Sequence, residues 1–142
     1  MRSLPLRLLV AAFIAAVFAD AYGASSFPRA VTLPALPIDN KSVDVHPASE
    51  SEFILRDKTE VHRGKVYLGY LDYSEWGPDK RLALERIVDS LKKGGWEVMM
   101  IDGPRNPPLA TLKLITDDNQ VLWASVEMLD TARLLVLQQD ES

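Results

Sequence analysis

The chain of 142 residues contains no cysteine. That absence excludes disulfide staples, thiol nucleophiles and thiolate-ligated metals, and it leaves no signal-peptide cysteine to carry a lipid. Histidine is almost as scarce, with only His46 and His62. Metal sites bring histidines a few residues apart or recruit cysteines, so no metal or other cofactor is expected, and both histidines read as surface residues. No serine stands in a G-x-S-x-G setting, and the one glycine pair, Gly94-Gly95, follows a helical pattern instead of opening one. A phosphate cradle and a nucleophile elbow are thereby excluded. A positive excess is missing too. The formal net charge of −4 opposes attraction to nucleic acid or anionic lipid.

Long hydrophobic runs are also lacking, and the longest one looks like an address. Arg2 and Arg7 precede an apolar stretch from Leu8 to Phe18, after which Ala19 and Ala21 stand at the spacing a signal peptidase reads. Eleven residues fall short of the roughly 20 needed to span a bilayer as a helix. Residues 1–21 are therefore expected to be a cleavable signal peptide, with export to the periplasm or beyond. Losing Arg2, Arg7 and Asp20 takes the net charge to −5. An exported chain without disulfides must be held by a core, a partner, or both.

What is present divides into two parts. Residues 22–52 carry Pro28, Pro34, Pro37 and Pro47 and no sustained period, which predicts an extended proline-rich arm or linker. Residues 53–142 predict one domain organised around Asp79 to Ile101. There Leu84, Ile87, Val88 and Leu91 recur at helical spacing, and Leu82 is expected to extend the stripe. Basic residues crowd the last turn, and the double glycine ends it. The following run, Trp96 to Ile101, reads as a strand buried on both sides beneath the helix.

Lys65 to Tyr73 alternates as a strand, with Val66, Leu68 and Tyr70 on one face and Tyr67, Leu71 and Tyr73 on the other. Gly103 to Pro108 breaks regular structure. Three further strands, near Leu109–Thr116, Val121–Met128 and Ala132–Gln138, are joined by short turns and so lie antiparallel. The expected fold is α+β, with one amphipathic helix packed on a mostly antiparallel sheet of four to five strands.

No set of residues reads as catalytic. Asp117-Asp118 falls in a predicted turn and serves it better than it serves hydrolysis. Tyr67, Tyr70, Tyr73 and Trp76 form an aromatic series that alternates between faces, so core packing accounts for most of it. Binding candidates remain at the margins of the helix–strand unit: Tyr73 and Trp76 before it, and Arg105 in the loop after it.

The order of a GYLDY strand (Gly69 to Tyr73), a helix ending in KKGGWEV (Lys92 to Val98), and strands ending in LWASVEMLDTARLLVLQ (Leu122 to Gln138) resembles an accessory domain of the OmpA family. That domain precedes the peptidoglycan-binding domain in some outer-membrane proteins. The resemblance covers about half the chain, carries no catalytic motif, and implies a Gram-negative envelope setting.

The leading expectation is a non-enzymatic exported module that binds an envelope protein or a cell-wall glycan. Two alternatives accompany it. One is a small hydrolase using carboxylates such as Asp72, Glu75 or Asp102. The other is a subunit that homo-oligomerises through a free strand edge, Ala132 to Gln138 or Lys65 to Tyr73.

Overall fold

The computed structural model describes residues 26–33 and 43–140. The expected signal peptide and its cleavage site lie outside the described residues, as do 34–42 of the arm. In chain order the elements are β1 (Asp44–Ile54), β2 (Thr59–Leu71), a short 3-10 turn (Ser74–Trp76), α1 (Lys80–Lys93), β3 (Glu97–Asp102), β4 (Leu109–Ile115), β5 (Val121–Met128) and β6 (Ala132–Gln139).

The six strands form one sheet in the order β1-β2-β6-β5-β4-β3, with every neighbouring pair antiparallel. This corrects the expected sheet of four to five strands. The additional strand is β1, which occupies Asp44 to Glu52 of the stretch read as an arm. Its sequence, DVHPASESEFI, has little alternation because an edge strand has one partner and a wet flank. Proline is tolerated at such an edge. Here a register shift between His46 and Ser49 takes up Pro47.

Two further expectations are corrected by the strand order. β6 lies between β2 and β5, and β2 lies between β1 and β6, so neither Ala132 to Gln138 nor Lys65 to Leu71 offers a free edge. The edges are β1 and β3. The strand after the helix, read as doubly buried, is thus an outer strand; Glu97 and Ile101 are exposed, and a bulge interrupts its pairing between Val98 and Met100.

Helix α1 starts at Asp79, whose carboxylate accepts the backbone N–H groups of Arg81 and Leu82. It ends at Gly94-Gly95, where Gly95 has φ +97°, a region that favours glycine. Ala83, Leu84, Ile87, Val88 and Leu91 are buried against Ala110 and Leu112 of β4, Leu122, Ala124, Val126 and Met128 of β5 and Leu134 and Val136 of β6. Leu82 is 54% exposed. At 100° per residue it sits about 160° from Leu84, off the buried stripe.

Part of the arm is built into this layer. Phe27, Ala30, Val31 and Leu33 pack on the helix-side core. The Trp96 indole N–H donates to Ala30 O at 2.8 Å, while Thr32 and Ser90 exchange two side-chain-to-backbone bonds at 3.0 and 3.1 Å. Phe27 rests on Gly69, where a Cβ would come within 2.7 Å of its ring.

The opposite face is covered by the β1–β2 hairpin. β2 pairs with β6 from Gly64 to Leu71, and its first part runs beyond. The end of the hairpin then folds over the sheet: Phe53 packs on Trp123 of β5 with ring centroids 5.6 Å apart, and Thr111 Oγ1 of β4 donates to Ile54 O at 2.7 Å. Phe53, Leu55, Val66, Trp123 and Leu137 make this second, smaller core.

Candidate functional site

Two places gather side chains with binding chemistry. The first is the end of the sheet where β2, β3 and β5 all terminate, so that the connections β2–α1, β3–β4 and β5–β6 meet there. Tyr73 is 5% exposed and its hydroxyl donates to Leu129 O, joining the first of these connections to the third. Pro108 O accepts the Met128 N–H at 2.9 Å, joining the second to the end of β5. Arg81 of α1 lies against Gly103. Trp76 is half-buried on the helix-side core, with the Arg86 guanidinium 5.2 Å from its ring centre. Such a cation over an indole face is a favourable contact. Arg105 is exposed.

The three residues expected to bind therefore come to one end of the molecule with different roles. Tyr73 is a core residue, Trp76 is half-buried, and Arg105 is open to solvent. The exposed apolar residues Leu82, Ile101 and Leu129 stand at the same end. Sequence reasoning missed these three. Leu82 is expected on the buried stripe and alternation places Ile101 in a buried strand, yet both are exposed, and Leu129 stands in the short turn between the last two strands.

Two of the acids considered for hydrolysis, Asp72 and Asp102, serve the backbone here. Asp72 Oδ1 accepts the Ser74 N–H at 2.9 Å, which with the Ser74 hydroxyl holds this carboxyl below its usual range. Asp102 Oδ1 accepts the Arg105 N–H at 3.1 Å and shapes the β3–β4 loop. Glu75 is exposed in the 3-10 turn. Asp118 accepts from Thr116 in the β4–β5 turn, where Asn119 takes φ 64°.

The second place is a cleft of about 260 Å³ between the hairpin and the sheet. The hairpin contributes Ser51, Glu52 and Ile54, and the sheet contributes Leu109, Ser125, Glu127, Arg133 and Leu135. Glu127 and Arg133 are directly opposite on β5 and β6. The ion pairs among the described residues nonetheless join Lys58 to Glu60 and Arg63 to Glu50, and none involves Arg133. Its Nε is buried without a hydrogen-bond partner. Sequence inspection had no signal for this cleft, because its walls come from positions some 80 residues apart. A wider groove of about 770 Å³ lies between Phe27–Arg29 and the start of β1, with Lys65 and Tyr67 on its wall.

His62 departs from the surface role expected of it. Its ring stacks on Trp123 at 4.2 Å, inclined by 19°, and its Nε2 meets Glu60 Oε1 at 3.0 Å. Lys58, then His62, hold the Glu60 carboxyl below its usual range, and Glu60 raises Lys58 in return. His46 is exposed on β1. Among the described residues no three acidic or histidine side chains are placed to hold a metal ion. No helix among them is long and apolar enough to cross a membrane. Comparison with protein-family models, with curated proteins and with solved structures returned no match.

Proposed function

We propose that this protein is an exported, non-enzymatic module of the cell envelope that docks on a periplasmic or outer-membrane protein or on a cell-wall component. The observation that carries the reading is the loop-bearing end of the sheet. There Leu82, Ile101 and Leu129, at 54%, 45% and 37% exposure, share one end of the fold with Trp76, Arg81 and Arg105. Aromatic residues and arginine surrounded by apolar area are the composition favoured where proteins meet. The short export-type run at residues 8–18 supports the compartment, and the resemblance of the stretch Lys65 to Gln139 to an accessory domain of the OmpA family agrees with an envelope setting.

Purified full-length protein should co-sediment with isolated cell-wall sacculi or be retained by solubilised outer-membrane proteins. The double variant Trp76→Ala/Arg105→Glu should lose that association while melting within a few degrees of the parent. A parent that associates with neither fraction, or a double variant that associates equally well, would overturn the reading.

A further inference from the structure

We propose that the cleft between the β1–β2 hairpin and the sheet is a binding site for a small zwitterion, namely an α-amino acid with an apolar side chain. The inference stands apart from the docking surface, because none of Trp76, Leu82, Ile101, Arg105 or Leu129 lines the cleft.

Arg133 is the starting point. Its side chain lines the cleft, and none of the ion pairs among the described residues engages it, so its guanidinium stands there without a charged partner. An arginine presents its N–H groups as a fork that matches a carboxylate at two points, and such charge-assisted bonds are the stronger kind. A ligand carboxylate therefore answers the guanidinium.

A simple anion does not suit the rest of the site. Glu52 and Glu127 line the same cleft, so the three charged side chains sum to −1 and repel a ligand that brings only negative charge. An ammonium group beside the carboxylate turns that repulsion into attraction, with Ser51 and Ser125 available as neutral hydrogen-bond partners. Ile54, Leu109 and Leu135 complete the wall and provide an apolar surface. The volume of about 260 Å³ lies just below the range of about 300–1,000 Å³ that holds drug-sized ligands, which fits an amino acid better than an oligosaccharide or a folded peptide. The ligand would bridge the hairpin to the sheet, two parts already tied by Thr111 to Ile54 O.

The test is an NMR titration of the full-length protein with L-leucine, with leucinamide, which has no carboxylate, and with N-acetylleucine, which has no ammonium. Leucine should give saturable shifts at Ser51, Ser125 and the Arg133 guanidinium N–H groups. Each blocked form should bind about tenfold or more weakly, the loss expected for one charge-assisted hydrogen bond. Arg133→Gln should abolish the leucine response, and Glu127→Gln should weaken leucine while sparing N-acetylleucine.

No saturable response to leucine would overturn the proposal, as would blocked forms that bind equally well. If Arg133→Gln fails to fold, the three ligands on the parent protein decide the matter alone. The double variant Trp76→Ala/Arg105→Glu should bind leucine as the parent does. Failure of one proposal is thereby separated from failure of the other.

Discussion

Tyr73 illustrates how a residue chosen for its exposed chemistry can instead be part of the frame. Its ring belongs to the helix-side core, and its hydroxyl fixes the β5–β6 turn through Leu129 O. Burial, and then the charge of Asp130, push the phenol above its ordinary value of 10.0. A raised pKa in the folded state means that the stability linked to the protonated phenol is present below the unfolded pKa. It is lost as pH rises from there through the folded value. Tyr73→Phe should cost about 0.5–1.5 kcal/mol at neutral pH for the lost hydrogen bond. The gap between variant and parent should narrow above pH ~10, since only the parent has a phenol to titrate. Urea unfolding at the two pH values checks this.

Gly64 makes a different demand, one of space. A Cβ there would lie 2.0 Å from Gln138 O, a backbone atom with little freedom to move aside. Gly64→Ala should therefore cost more than the ~3 kcal/mol that bounds most single substitutions, read as a lower urea midpoint with an unchanged slope.

The helix was legible in advance because its information is local. Leu84, Ile87, Val88 and Leu91 lie on one face through the geometry of 3.6 residues per turn, Asp79 caps the start, and Gly94-Gly95 ends it. Leu84→Ala or Ile87→Ala should each cost about 2–5 kcal/mol in chemical unfolding, since both side chains are fully buried. Strands β4, β5 and β6 were legible for a similar reason: alternation and short turns specify neighbouring antiparallel pairs. β1 was not. It is polar, contains Pro47, and is a strand only because β2 supplies its hydrogen bonds across the register from Asp44–Leu68 to Ile54–Thr59. The folding of that hairpin over the sheet, and hence the cleft, depends on contacts such as Phe53 with Trp123 and Ile54 with Thr111, which link positions more than 55 residues apart.

In the molecule as a whole, the sheet carries two cores of unequal size on its two faces, and the stretch 26–33 closes part of the larger one. Removing residues 1–33 should lower the melting temperature in scanning calorimetry. The truncation takes away the Ala30 acceptor of Trp96, both Thr32–Ser90 bonds and the apolar contacts of Phe27 and Leu33. An unchanged melting temperature would show that the stretch is an appendage and not part of the fold.

Composition and periodicity alone determined the missing thiol chemistry, the amphipathic helix Lys80–Lys93 and the β4–β6 meander, because each follows from residue types or from spacings shorter than a hairpin. Only the tertiary structure decided that β1 joins the sheet, that β3 is an edge, that Leu82 and Ile101 face solvent, and that Arg133 shares a cleft with Glu52 and Glu127. Those outcomes depend on which distant strands pair and which face the hairpin covers, and no local pattern encodes a pairing partner.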